Sequence, residues 1–270
     1  MIDGHMHLEY GDLSVEYVLQ FVQQAVKMGL TEIDILDHTH RFREFKPIYE
    51  HLRKYPVQDQ WLNGRTKFCN SLDEYAELIA KVRQLDLPIT VKFGLEVCYS
   101  EDTEELIRKI LKVRKYDFLT GAVHSVNSIL YDMKFSRELL WDRYSADDIY
   151  DWYYRQAISC VRSGLFDRLA HPDTIKLFNI YPEKDLRETY YQLSEELVRN
   201  QVLAECNTGC HYRYGHQDIG LSEELLAIFK ERKVKMITAS DAHHPEGVGK
   251  YIREAEERIH GGKDHAESNL

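Results

Sequence analysis

The feature that most constrains the fold of this chain is an alternation of short, strand-like hydrophobic segments with longer amphipathic ones. The segments with the length and composition of strands are 2–7, 32–38, 89–97, 117–125, 167–173, 202–208 and 235–243. The segments with apolar residues three and four apart, as in helices, are 14–28, 71–85, 103–113, 146–163, 183–199 and 222–232. Strands that alternate with helices are typical of parallel βα units.

Two architectures fit this order of elements. The simpler is one closed or nearly closed α/β barrel of about seven strands, and the alternative is a doubly wound open sheet. The 270 residues include 43% hydrophobic residues, enough for the core of one large domain, and no change of composition marks a linker. We therefore predict a single domain over residues 1–270, which ends in a polar, flexible tail at about 260–270.

The composition argues against some classes of partner. A formal net charge of -10 disfavours nucleic acid, because affinity for its phosphates depends largely on clustered Lys and Arg. The sequence has no run of roughly 18 apolar residues and no signal-peptide layout at its N-terminus, so we expect a cytoplasmic protein that does not bind membranes. The five cysteines lack a framework spacing, which favours reduced thiols. Nothing in this composition indicates an oligomeric state.

Residues that can bind metal ions stand at the C-terminal ends of the predicted strands. The first strand carries His5 and His7, which strand alternation points to one face, and Glu9 continues that row. The later strand ends carry Asp37, His38, Glu96, His124, His171, Asn207, Asp241 and His243. In a βα barrel the loops at this edge converge on one mouth, so these residues are expected to meet in space.

The candidate ligands are His5, His7, Glu9, His38, Glu96, His124, His171, Asp241 and His243. A lone strand histidine is more often a hydrogen-bonded residue than a ligand, but so many imidazoles and carboxylates buried without cations would bear a large desolvation cost. Imidazole nitrogen and carboxylate oxygen without thiolate suit Zn, Mn or Fe(II). The set is large enough for two or three divalent ions, which is typical of a hydrolytic enzyme. A non-catalytic metal-binding module is the alternative from another functional class.

Segments along nearly the whole chain resemble the PHP (polymerase and histidinol phosphatase) family, and within it the histidinol-phosphate phosphatase branch. These segments are HMHLE, ILDHTHRFREF, FGLEV, GAVHSV, SGLFDRLAHPD, ECNTG and SDAHHPEGVG. The resemblance implies a distorted TIM-like (β/α)7 barrel with a trinuclear metal centre at the C-terminal face of its strands.

The resemblance also implies a division of the ligands among three ions. The first ion would be held by His5, His7, Glu96 and Asp241. Glu96 would bridge to a second ion held by His124 and His171. The third would be held by His38, His243 and one residue from the loop after HMH, where many relatives have a histidine and this sequence has none. Glu9 is the expected replacement, and Asp12 is the alternative.

The activity implied by this resemblance is hydrolysis of L-histidinol phosphate to L-histidinol and phosphate, a late step of histidine biosynthesis. A hydroxide bridging the first two metals would attack phosphorus in line. Asp241, His243 or a metal-bound water would protonate the leaving alkoxide. Another small phosphate ester, such as a nucleotide, is the alternative substrate.

Residues on two predicted loops are candidates for binding the phosphate group of a substrate. Arg41 follows the second strand and Arg213 follows the sixth, and a guanidinium can donate two parallel hydrogen bonds to phosphate. A solvated loop charge is the alternative for each. His40 lies two residues after His38 and is expected to orient a ligand or to contact substrate.

Overall fold

All seven predicted strands lie side by side in one parallel sheet. The computed structural model describes residues 1–261, so the tail predicted for the last residues lies, from 262 onward, outside the described residues. The strands in this range are β1 (Ile2–Met6), β2 (Glu32–His38), β3 (Thr90–Cys98), β4 (Phe118–Ala122), β5 (Ser125–Val126), β6 (Ile129–Leu130), β7 (Arg168–Leu169), β8 (Leu203–Asn207) and β9 (Met236–Ala239). The short strands β5 and β6 form a separate antiparallel hairpin, and the other seven neighbour one another in chain order.

The sheet nearly closes on itself between its first and last strands. Met6 forms a parallel bridge with Ala242, and the His7 N–H donates to the Ala242 carbonyl at 2.8 Å. The Thr238 hydroxyl donates to the Ile2 carbonyl at 2.7 Å. An open doubly wound sheet needs a reversal of strand order, and this sheet has none, so the predicted near-closed α/β barrel is confirmed.

The helices cover the outside of the barrel. They are α1 (Val15–Lys27), α2 (Pro56–Leu62), α3 (Leu72–Val82), α4 (Glu104–Leu111), α5 (Ala146–Arg162), α6 (Arg187–Asn200), α7 (Gly209–Tyr214), α8 (Glu223–Glu231) and α9 (Ile252–His260). Short 3-10 segments occur at Thr39–Arg41, Arg43–Lys54, Glu101–Thr103, Thr174–Phe178 and Pro245–Gly247, and a π-helical turn at Arg137–Trp141. No helix within residues 1–261 is both long and apolar enough to cross a bilayer.

One predicted helix begins later than its sequence pattern indicates. The segment 183–199 was expected to be helical throughout, but α6 starts only at Arg187. The Asp147 carboxylate accepts the backbone N–H of Glu183 at 2.8 Å and that of Lys184 at 3.3 Å. These amides are therefore satisfied by a contact across the structure, which the helical period does not reveal.

Three predicted strands end earlier than expected, and each ends just before a candidate ligand. β4 stops at Ala122, β7 at Leu169 and β9 at Ala239. Beyond two of these ends, His171 and Asp241 have positive φ angles of 28° and 57°. A positive φ is costly for a residue with a Cβ atom and turns the chain out of the extended conformation. The predicted lengths 117–125, 167–173 and 235–243 were too long because hydrophobic patterning does not report such turns.

Candidate metal centre

The structure brings all nine predicted ligands together at the C-terminal edge of the barrel. His5 and His7 are fully buried at the base of a cleft. The cleft itself is lined by the other seven: Glu9, His38, Glu96, His124, His171, Asp241 and His243. The register between β2 and β3 places two of these ligands side by side, because it pairs His38 with Glu96.

Glu96 lies at the centre of this cluster. His124 Nε2 and His171 Nε2 lie 3.0 and 2.9 Å from its Oε1 atom. Its Oε2 atom contacts His38 Nδ1 and has no hydrogen-bond partner. Burial raises the pKa of Glu96, but His38 and His124 more than offset this and hold the pKa well below its usual range. Glu96 is therefore a carboxylate that presents both oxygens to ligand-type nitrogens.

His5, His7 and Asp241 form a second tight group. His5 Nε2 lies 2.8 Å from His7 Nε2. Asp241 Oδ1 lies 3.7 Å from His5 Nε2 and 3.2 Å from His7 Nε2. Burial raises the pKa of Asp241, but Arg213 and His7 hold it well below its usual range. Two ring nitrogens and a carboxylate oxygen thus point at one small volume.

Glu9 was expected to complete a third ion site, and it lies on the side of the cleft next to His243. Its Oε1 atom lies 3.3 Å from His243 Nε2, and its Oε2 atom lies 3.8 Å from His40 Nε2. Burial raises the pKa of Glu9, but His38 and His243 lower it below its usual range. Asp12, the alternative, is exposed and belongs to none of the ligand-type clusters in the described residues.

The donor set fits divalent metal ions. Four groups have ligand atoms that all lie within 4.8 Å of one another: His5 with His7 and Asp241, His7 with His38 and His243, His38 with Glu96 and His124, and Glu9 with His38 and His40. Nitrogen and oxygen donors of this kind suit Zn, Mn or Fe(II). Cys98 and Cys210 also line the cleft, but burial raises the pKa of Cys98 to about 11 and that of Cys210 to about 12, so neither is a thiolate at neutral pH.

Carboxylates behind the candidate ligands were missed by the sequence analysis. Glu205 is fully buried, and its Oε1 atom lies 2.8 Å from His5 Nδ1. Asp132 Oδ2 lies 3.1 Å from His124 Nδ1. Burial lowers the pKa of His5, but Glu205 and Glu96 together raise it to about 10. Such outer carboxylates fix the ring orientation and tautomer of a ligating histidine. Glu205 could have been found from strand alternation, since it lies two residues before Asn207 in β8.

Arg41 does not reach the cleft, which corrects the prediction that it binds phosphate. Its guanidinium is buried and donates to Asp37 Oδ2 at 2.8 Å, to Asn70 Oδ1 at 2.9 Å, and to the carbonyls of Leu8 and Gly11. All of these acceptors belong to the protein. Arg41 therefore ties the loop after β1 to the loop after β2, and four of its five N–H donors are occupied within the protein.

Arg213 and His40 do line the cleft, as expected. Arg213 Nη1 lies 3.1 Å from Asp241 Oδ2, and its side chain is 25% exposed. His40 is buried next to Lys67, with its Nε2 atom 3.1 Å from Lys67 Nζ. Lys67 and Trp61 also line the cleft, and no motif in the sequence singled them out.

Comparisons with known proteins agree with this architecture. The family model described as PHP domain matches residues 3–209. A protein of Deinococcus radiodurans named "Probable histidinol-phosphatase" is 26% identical over 262 residues, covering 96% of this chain and 92% of its own length. A Schizosaccharomyces pombe protein of the same name is 24% identical over 264 residues, covering 92% of this chain and 82% of its own.

Among solved structures, a similar fold occurs in the histidinol phosphate phosphatase of Lactococcus lactis subsp. lactis, which was crystallised with zinc, L-histidinol and phosphate. Its TM-score is 0.70 at 20% sequence identity, and the match covers 98% of this chain and 94% of that one. The family model spans well over half of the 270 residues. This chain belongs to the PHP domain family.

Proposed function

We propose that this protein is a metal-dependent phosphomonoesterase that hydrolyses L-histidinol phosphate to L-histidinol and phosphate. The observation that carries the proposal is the convergence of Glu96 with histidines from four other strand ends. The full-length similarity to two proteins named for this activity supports the substrate. So does the zinc, L-histidinol and phosphate bound to a protein of the same fold.

We further propose the ligand sets that the resemblance implies, with His5, His7, Glu96 and Asp241 holding one ion, Glu96, His124 and His171 a second, and Glu9, His38 and His243 a third. When bound, divalent ions would acidify an attacking water molecule and neutralise charge on the phosphate oxygens. The protein's part is to hold the ligating rings in place and to keep Glu96 anionic. We propose that the chain acts as one catalytic domain.

The leaving alkoxide needs a proton. The surroundings of His243 and Asp241 make each a poor proton donor at neutral pH. Burial lowers the pKa of His243 to about 4, with Asp241 opposing and Arg213 adding to the shift. The pKa of Asp241 lies well below its usual range. Both groups also belong to the proposed ligand sets, which limits either one as a free acid, so we propose that a water molecule supplies the proton.

The walls of the cleft beyond the ligands are mainly aromatic and apolar, and include Trp61, Leu130, Met133, Leu177 and Tyr214. This lining provides space for the organic part of a small ester beside the polar cluster. The test compares kcat/KM for L-histidinol phosphate, nucleoside monophosphates and sugar phosphates with zinc, manganese or Fe(II) protein. L-histidinol phosphate should be preferred. A nucleotide preferred by several decades would contradict the substrate assignment.

A further inference from the structure

One cationic side chain in the cleft has no role in the proposed ligand sets. Lys67 enters the cleft from the segment 43–70, and its side chain is 9% exposed. The backbone on its C-terminal side is tied to the loop after β2. The Phe68 N–H donates to the His40 carbonyl at 2.7 Å, and the Asn70 N–H donates to the Arg41 carbonyl at 3.1 Å. Lys67 is therefore held in position rather than extended from a solvated surface.

The ammonium group of Lys67 lies in a pocket with few acceptors. Its Nζ atom lies 3.1 Å from His40 Nε2 and 4.4 Å from the centre of the Trp61 ring. The nearest carboxylate oxygen is Glu9 Oε2 at 3.7 Å. An ammonium carries three donors, and the neutral His40 ring can accept one of them. The remaining donors face a cleft and have no carboxylate within hydrogen-bond distance.

The other cationic side chains near the cleft are already paired. Arg41 is buried behind the loops with all of its contacts inside the protein. Arg213 lies 3.1 Å from Asp241 Oδ2. Of the lysine and arginine side chains that line the cleft within residues 1–261, Lys67 has no carboxylate closer than 3.7 Å. An ammonium group with donors that face an open cleft can bind an anion through charge-assisted hydrogen bonds.

Glu9 connects Lys67 to the candidate ion sites. One oxygen of Glu9 lies 3.3 Å from His243 Nε2, and the other lies 3.7 Å from Lys67 Nζ. The carboxylate of Glu9 thus lies between the Lys67 ammonium group and the proposed ligand His243. A phosphate group bound at that cluster would find Lys67 at the adjacent wall.

We propose that Lys67 is a substrate-binding residue that donates a hydrogen bond to a non-bridging oxygen of the phosphate group. The inference rests on the proposed function, since it assumes a phosphate ester in this cleft. Lys67 would thereby supply the contact that the sequence had assigned to Arg41. The role differs from metal binding, because an ammonium cannot ligate an ion while it carries its proton.

The test is calorimetric binding of inorganic phosphate to the metal-loaded protein, after the metal content of each variant has been measured. Lys67→Met keeps the length of the side chain and removes its charge. It should weaken phosphate binding about ten- to a hundredfold, the range for a hydrogen bond to a charged group. KM for the ester should rise in parallel, with a smaller change in kcat. Lys67→Arg should retain most of the affinity, and the metal content should stay as in the wild type.

Arg65→Met is the matched control, because Arg65 is exposed in the same segment and does not line the cleft. Should Lys67→Met fail to fold, Lys67→Gln retains a donor for His40 and makes the same comparison. Unchanged phosphate affinity in the neutral variants would overturn the proposal, as would a loss of affinity that metal saturation restores. The calorimetry needs no turnover. A wild-type protein that binds phosphate through Lys67 but hydrolyses no ester would therefore refute the proposed function alone.

Discussion

Glu205 bridges two elements of the candidate metal centre through His5 and the backbone of His171. Its Oε1 atom lies 2.8 Å from His5 Nδ1. Its Oε2 atom accepts the His171 N–H at 3.2 Å and the Asn207 side-chain N–H at 3.2 Å. One buried carboxylate therefore orients a proposed ligand of the first ion and supports the strained backbone of a proposed ligand of the second.

We expect Glu205→Gln to weaken metal binding without removing a ligand. The loss of the charge behind His5 should reduce zinc affinity about ten- to a hundredfold, as is usual for residues that support ligating histidines. Competition with a chromophoric chelator measures this affinity directly. Glu196→Gln is a suitable control, because Glu196 of α6 pairs with Arg162 of α5 and Arg199 of α6 and does not line the cleft. Equal zinc affinities in the two variants would contradict the role of Glu205.

Zinc binding should release protons at pH 7.5. The pKa of His5 is raised to about 10 in the metal-free protein, because Glu205 and Glu96 outweigh the opposing effect of burial. A raised pKa means that the ring is protonated at pH 7.5, and a metal ion must displace the proton from its ligating nitrogen. Titration calorimetry in buffers of different ionisation enthalpy gives the number of protons released. The number should fall as the pH rises through 10, and zinc binding without proton release at pH 7.5 would contradict the raised pKa of His5.

The choice between Glu9 and Asp12 can be tested by metal stoichiometry. Glu9 faces His243 at 3.3 Å, whereas Asp12 is exposed. Glu9→Ala should therefore lose metal from the third proposed site, while Asp12→Ala should keep the wild-type content. Elemental analysis after dialysis at fixed free metal concentration makes the comparison. The reverse order of metal loss would show that Asp12 completes the site.

Arg41→Ala should lower stability. Its removal leaves the fully buried Asp37 carboxylate without its 2.8 Å partner, and breaking a buried ion pair costs about 3–5 kcal/mol. Arg43→Ala is the matched control, since Arg43 pairs with Glu74 at the surface, where the contribution is about 0–1 kcal/mol. Denaturant unfolding of the two metal-free variants measures the difference. If Arg41→Ala kept wild-type stability and only raised KM, the original assignment of Arg41 to phosphate would stand.

The seven strands and six of the helices could be predicted because their signals are local. The hydrophobic and helical patterns run along each element, and α3 begins at a capping box formed by Ser71 and Glu74, which is itself a local signal. The convergence of His5, Glu96 and Asp241 could be predicted too. It requires only that parallel strands end at one edge, a property of the whole fold class.

Other features depended on distant contacts that leave no local pattern. Arg41 has the loop position of a phosphate ligand, but its orientation is decided by Asp37 and by carbonyls of the loop after β1. Lys67 reaches the cleft only because the segment 43–70 folds back along the loop after β2. The turns at His171 and Asp241 shorten their strands through positive φ angles, which are uncommon for residues other than glycine and leave no mark in the hydrophobic pattern.

We propose that the clustered side chains make this chain a metal-dependent phosphatase acting on L-histidinol phosphate. The most direct measurement is phosphate release from L-histidinol phosphate by metal-stripped protein, before and after reconstitution with zinc or manganese, beside Glu96→Gln treated identically. We predict turnover by the reconstituted wild type, none by the stripped protein, and a loss of more than about a hundredfold in the variant, beyond that expected for a supporting residue. Stoichiometric metal without phosphate release from this ester would contradict the proposed function.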